Sequence, residues 1–182
     1  MVYMLLAEGF EEIEAIAPLD LMRRADIEVS TVSLTEDFIV QGGHGICAQA
    51  DVLLCEIDFN AMEMLVLPGG LGGVDSIAGS QIAMDLIVQA WNAKKKLAAI
   101  CAAPSLLAKL GVLDGLAVTC HPGVHDKIVA AGGKLQAELP AVSDRNLITG
   151  KAAGASIDFG LELVAAMRDR ETAEKLRRAV FY

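Results

Sequence analysis

A short apolar run, Leu97-Ala98-Ala99-Ile100, ends on a cysteine, Cys101. Ala102-Ala103-Pro104-Ser105 follow, then the helical pattern Leu106-Leu107-Ala108-Lys109-Leu110, closed by Gly111. A strand that turns sharply into a helix leaves its turn residue at the rim of a sheet, near the positive end of the new helix. A cysteine held there has a physical reason to be a thiolate. A strand-to-helix junction of this kind belongs to a parallel sheet covered by helices.

The rest of the chain repeats that alternation. Val2 to Ala7 reads as a buried strand, Glu8 to Glu12 as a polar turn, and Ile13 to Ala25 as a helix in which Pro18 implies a kink or a late true start. Glu28 to Leu34 alternates and is β-branched, as a strand should be. Gly42-Gly43 interrupts a ragged section in which Ile46–Ala48 and Val52–Cys55 are expected to form a hairpin. Met62 to Leu67 is a buried strand that stops at Pro68-Gly69-Gly70-Leu71-Gly72-Gly73. Ser80 is placed to cap a helix over Gln81 to Ala93, with Lys94-Lys95-Lys96 at its C-terminal end. Beyond the cysteine, Leu116 to Cys120 reads as a strand and Val124 to Ala131 as a short helix. Ala141–Asp144 and Asn146–Thr149 form a strand pair, and helices run over Ala155 to Arg168 and Glu171 to Ala179.

Strand and helix in turn, with short connections, predict a doubly wound α/β layer, and 182 residues form one domain of it, residues 1–182. Composition agrees: 54% hydrophobic residues with 4% aromatics make an aliphatic core suited to a covered sheet. A net charge of −9 argues against a strong nucleic-acid footprint. No apolar run reaches the length of a membrane span, and the N-terminus lacks a basic leader. Cys47, Cys55, Cys101 and Cys120 form no CxxC pair and no zinc spacing with His44, His121 or His125. Free thiols in a reducing cytoplasm are therefore expected, with no metal.

In a doubly wound sheet the site lies beyond the C-terminal ends of the strands. Three turns converge there: Glu8–Glu14, Pro68–Gly73 and Cys101–Pro104. Cys101 is a nucleophile or, on the plainer view, a buried structural thiol; Cys47, Cys55 and Cys120, in or at the end of strand runs, read as structural. Glu8, Glu11 and Glu12 read as solvated. Glu14 sits among Ile13, Ala15, Ile16 and Ala17, where desolvation raises a carboxyl pKa. Ionised, it would repel a thiolate; protonated, it could donate to one and act as general acid and base. The alternative is an ordinary carboxylate at a helix start. Gly69 to Gly73 fits neither GxGxxG nor a phosphate loop. It is either a set of backbone N–H groups facing a reacting carbonyl or a plain tight turn. His121 falls at the rim, as a proton shuttle or a satisfied loop residue. His44 lies in a Gly-rich loop and His125 on a helix read as exposed.

Taken together, Ala7-Glu8-Gly9-Phe10-Glu11-Glu12-Ile13-Glu14, Pro18 to Arg24, Val66-Leu67-Pro68-Gly69-Gly70, Ala98 to Pro104, Thr119-Cys120-His121-Pro122 and Asp126-Lys127 resemble the ThiJ/PfpI superfamily, in its DJ-1 branch. The resemblance covers nearly the whole chain. It implies a flavodoxin-like α/β/α sandwich of the class I glutamine amidotransferase type, and a homodimer. It implies a nucleophilic, oxidation-prone Cys101 with a protonated Glu14, an oxyanion pocket of backbone N–H groups at Gly69–Gly70 and Ala102, a nearby His121, and Arg24 as a substrate-binding arginine. It implies no cofactor and a small α-oxoaldehyde substrate such as methylglyoxal, in a glyoxalase III or deglycase reaction; the alternative is an oxidative-stress sensor or chaperone. Two departures stand out. Ala102 replaces the histidine that follows the cysteine in protease-like relatives, which argues against an amidase or peptidase. His44, after Gly42-Gly43, stands where some relatives carry an arginine.

Overall fold

The computed structural model describes all residues from Met1 to Tyr182. Its strands are β1 (Val2–Leu6), β2 (Val29–Ser33), β3 (Ile39–Gln41), β4 (Cys47–Gln49), β5 (Val52–Leu53), β6 (Met64–Leu67), β7 (Lys96–Ile100), β8 (Ala117–Val118), β9 (Lys134–Leu135), β10 (Ala141–Asp144) and β11 (Leu147–Gly150). The helices are α1 (Glu12–Arg24), α2 (Leu71–Gly79), α3 (Gln81–Asn92), α4 (Pro104–Lys109), α5 (His125–Ala130), α6 (Ser156–Met167) and α7 (Arg170–Ala179). Seven strands form the central sheet in the order β10-β11-β7-β6-β1-β2-β5. All its pairings are parallel except β10 with β11, which closes one edge as a hairpin.

Every residue of β1 and β6 is buried, as continuous aliphatic runs in a doubly covered sheet require. Two apolar layers fill the faces. On one, Leu5, Leu65, Leu67, Ile87 and Leu107 pack together under α2, α3 and α4. On the other, Met4, Val66, Phe159 and Leu163 pack under α1 and α6. The result is the expected three-layer, flavodoxin-like sandwich. Pro18 lies inside α1 without ending it, and its backbone packs against Gly160 of α6, where a Cβ would come within 2.9 Å of the Pro18 Cα.

Local departures from the sequence reading have physical causes. The middle section is not a hairpin of Ile46–Ala48 with Val52–Cys55. β4 pairs antiparallel with β3, and β5 instead extends the main sheet parallel to β2. Asp51 decides this: its carboxylate accepts from the Thr31 backbone N–H and hydroxyl, at 2.8 Å each. Leu71–Gly79 is a helix, hidden in the sequence by its three glycines, Gly72, Gly73 and Gly79. Leu116 to Cys120 leaves the main sheet; β8 pairs with β9 in a separate two-stranded ribbon. Ser80 caps α3 as expected, accepting from Ala83 N–H at 3.3 Å. The lysines follow its C-terminal end, as expected: Lys94 takes φ +57, and Lys95 donates to the Met62 carbonyl.

Candidate active site

The sheet reverses winding direction between β1 and β6, so the crevice for a ligand opens beyond their C-terminal ends. Three turns meet there. The first follows β1 and is anchored by Phe10, which is buried and bridges to Gly42. It leads into α1, which has no side-chain N-cap. The second follows β6, where Gly70 takes φ +87; its missing Cβ leaves room for the Gly9 carbonyl, which a Cβ would meet at 2.4 Å. The two turns are joined by Glu11 N–H donating to the Gly69 carbonyl at 3.0 Å. The third is Cys101 itself.

Cys101 takes φ +65, a left-handed conformation unfavourable for a residue with a Cβ. The fold imposes it at both peptide groups. Cys101 N–H donates to the Gly150 carbonyl at 3.0 Å, and the Cys101 carbonyl accepts from His121 N–H at 2.8 Å. The side chain is thereby lifted off the strand end to half-exposure.

Glu14 reaches the same point from the third position of α1 and is 1% exposed. Its Oε2 accepts from Gly69 N–H at 3.0 Å, while Oε1 is buried with no hydrogen-bond partner. Gly69 lies between the two side chains: a Cβ there would sit 2.3 Å from Glu14 Oε2 and 2.7 Å from Cys101 Cβ. Glycine at 69 is thus a condition for the carboxyl and the thiol to meet. Burial pushes the Glu14 carboxyl up to about 7, with Glu11 adding to the shift and the hydrogen bonds of Cys101 and Gly69 opposing it. Burial also pushes the Cys101 thiol up to about 12, helped by the charge of Glu14 and by its hydrogen bond, and opposed by the N–H groups of Ala102 and Gly70. The rise at Cys101 differs from the thiolate expected at a helix start. Part of it comes from an ionised Glu14, and so disappears when Glu14 takes up a proton. The two groups therefore titrate as a pair that shares protons.

The structure brings Cys101, Glu14, Gly69, Gly70 and Ala102 together. His121 joins them through its backbone N–H, which donates to the Cys101 carbonyl. Its exposed ring caps the turn that follows, with Nδ1 accepting from Gly123 N–H at 3.0 Å. Arg24 lies ten residues beyond Glu14, about 15 Å along the helix. There it pairs with Asp20 at 2.6 Å on the exposed surface. Within this chain it does not reach Cys101.

Other expectations change. Glu12 is buried rather than solvated. It accepts from His44 N–H at 2.7 Å and Ile46 N–H at 3.3 Å through Oε1, and meets His44 Nδ1 at 3.0 Å through Oε2. The sequence holds no spacing signal for this link, which joins residues 32 apart. Cys47 and Cys55 are exposed, so neither is a buried structural thiol; Cys120 is buried. His125 is half-buried, with its Nε2 enclosed and unpartnered.

A left-handed cysteine at a parallel-strand end, beside a buried carboxyl and two backbone N–H groups, sits on a flavodoxin-like α/β fold. The chain belongs to the DJ-1/PfpI family, whose pattern matches residues 1–166. It is 31% identical to protein dj-1beta of Drosophila melanogaster, over 97% of this chain and 94% of that protein. The crystal structure of the Drosophila protein superposes with a TM-score of 0.93 at 30% identity, covering 99% of this chain and 96% of that one. A Pyrococcus abyssi protein named a deglycase is 30% identical over 72% of this chain and 78% of its own length. The chain spans less than half the length of two Arabidopsis thaliana DJ-1 homologues, A and B, at 44% and 39%. No single helix is long and apolar enough to cross a membrane.

Proposed function

We propose that the protein is a cysteine enzyme acting on small α-oxoaldehydes such as methylglyoxal, in a glyoxalase III or deglycase-like reaction. One observation carries the reading: a buried Glu14 carboxyl with one oxygen free of partners faces a cysteine held in a left-handed turn. At neutral pH such a carboxyl retains a proton in much of the population, since it is pushed up to about 7. Protonated Glu14 donates to the Cys101 sulfur and favours the thiolate.

The thiolate attacks the aldehyde carbon, and the carbonyl π electrons move to oxygen, forming a hemithioacetal. The N–H groups of Gly70 and Ala102 stabilise that oxyanion. Glu14 passes its proton to that oxyanion and, now ionised, removes the proton from the former aldehyde carbon, giving an enediolate. It delivers that proton to the neighbouring former ketone carbon while the enol proton moves to the second oxygen, leaving a thioester. The aldehyde carbon is oxidised and the ketone carbon reduced within one molecule, so no external electron carrier takes part. Water cleaves the resulting thioester, releasing lactate and the Cys101 thiol. The reaction needs a reduced thiol, which fits a reducing compartment such as the cytoplasm. Methylglyoxal turnover is expected to vanish in Cys101→Ser and to fall at least a hundredfold in Glu14→Gln, read by lactate formation. Retained turnover in Cys101→Ser sinks the mechanism.

The reading includes a homodimer, supported by Ile13, Ile16 and Ile46, which are 52%, 44% and 62% exposed near the start of α1. A second reading, a peroxide sensor working through Cys101 sulfinate, is favoured by the same unpartnered Glu14 Oε1, which could hold a sulfinate oxygen when protonated. Mass spectrometry after mild peroxide separates the two, with exposed Cys47 and Cys55 as internal comparison. Sulfinate confined to Cys101 with negligible aldehyde turnover favours the sensor.

A further inference from the structure

His44 is the residue the proposed chemistry leaves unused, and its surroundings connect it to the site. The first turn of α1, which delivers Glu14, has no N-cap side chain to fix it. It is held from outside by the segment between β3 and β4. Gly9 N–H donates to the Gln41 carbonyl and Gly43 N–H to the Phe10 carbonyl, both at 2.8 Å. The Glu12 carboxylate then gathers His44 N–H, Ile46 N–H and the His44 ring. Space for it exists because residue 42 is glycine; a Cβ there would lie 2.5 Å from Glu12 Cδ. The His44 ring remains exposed, with Nδ1 3.5 Å from Glu11 Oε1. Glu11 in turn is the carboxylate whose charge acts on Glu14.

We propose that His44 and Glu12 form a clasp that fixes the first turn of α1, and that the charge on His44, relayed through Glu11, sets how tightly Glu14 holds its proton. His44 is thus a positioning residue, acting through Glu11 and Glu12 and not on substrate. The charged groups acting on it are Glu12 and Glu11, which hold its proton more tightly than usual. Burial alone would push Glu12 up, but the His44 ring and the N–H groups of Glu12, His44 and Ile46 hold it down at about 2, so the clasp carboxylate stays charged throughout. While His44 is charged it offsets Glu11, and Glu14 gives up its proton more readily. When pH rises through the His44 titration, the Glu11 charge is uncovered and Glu14 holds its proton to higher pH.

The inference rests on the reading of Glu14 as the acid–base partner of Cys101, but its test needs no substrate. The Glu14 titration is followed by carboxyl carbon NMR in glutamate-labelled protein, assigned with Glu14→Gln. His44→Ala, at an exposed position, is expected to raise the Glu14 midpoint by about half a pH unit, a threefold change in proton affinity. His44→Arg, with a fixed charge, is expected to keep it at or below the wild-type value. Identical Glu14 midpoints in wild type, His44→Ala and His44→Arg overturn the proposal, as does a midpoint lower in His44→Ala. Absent methylglyoxal turnover in wild type, alongside a midpoint that follows His44, overturns the catalytic reading and leaves the clasp standing. Normal turnover with an unresponsive midpoint does the reverse.

Discussion

At Cys101 the backbone holds φ +65 in a residue with a Cβ. That conformation costs of order 1–2 kcal/mol. Cys101→Gly is therefore expected to raise unfolding stability by about 1 kcal/mol in urea melts while abolishing aldehyde turnover. A loss of stability would show that the turn is relaxed. Beside it, Glu14 is raised on folding from the usual carboxyl range to about 7 by burial. Between those values the unfolded chain gives up a proton that the folded chain keeps, so stability falls as pH rises from about 4.5 to 7. The contribution is of order 3 kcal/mol for a shift of this size. Glu14→Gln should remove that part of the slope and be the more stable protein at pH 7.5, checked by denaturation at a series of pH values. Gly69→Ala should separate Glu14 from Cys101, because its Cβ would occupy the space between them. The expected result is a fold that persists with a much reduced rate of aldehyde turnover.

Helix α1 is built against the usual pattern. Its first two turns bury Glu12 and Glu14 and expose Ile13 and Ile16. A helix chosen for stability alone would do the opposite. The carboxylates are held inside by Gly69 N–H and by the His44 segment, and the isoleucines are left facing outward. Further along, α1 crosses α6 where Pro18 meets Gly160. Gly160→Val is expected to destabilise by about 1–3 kcal/mol through overpacking, seen as a lower urea midpoint. Elements carried by strong local patterns were legible from the chain: β1, β6, β7, α3, the β10–β11 hairpin and α6. Those carried by distant partners were not. α2 hides among glycines, and β5 is short enough that Asp51 and Thr31, not its own pattern, choose its neighbour.

Across the whole molecule, two glutamates two residues apart titrate in opposite directions. Glu12 is lowered on folding, so its stabilisation is present above about 4.5 and lost as pH falls through about 2. Glu14 works in the other direction between about 4.5 and 7. Their combined contribution is greatest near pH 4.5, and in the double variant Glu12→Gln, Glu14→Gln the pH profile should flatten on both sides. For the proposed homodimer, Ile13→Glu with Ile16→Glu should yield monomer by light scattering, with the central sheet retained by circular dichroism. Dimer surviving in that variant would place the interface elsewhere.

The sequence by itself determined the layered α/β architecture, since alternating aliphatic runs and amphipathic helices have few other ways to bury their faces. It also determined that Cys101, Glu14 and the Gly69-Gly70 turn share one rim, because strand ends in a parallel sheet point the same way. Only the tertiary structure decided how they meet. Hydrogen bonds to Gly150 and His121 twist Cys101 into its turn, and the absence of a side chain at Gly69 lets the carboxyl reach it. It also decided that helix length carries Arg24 away from Glu14 to pair with Asp20, and that the His121 Nδ1 accepts from the Gly123 N–H. The protonation of Cys101 belongs to the same class. At the head of a helix, a cysteine viewed alone should be acidic. Enclosed with Glu14, its proton affinity follows burial and a neighbouring charge, neither of which local sequence contains.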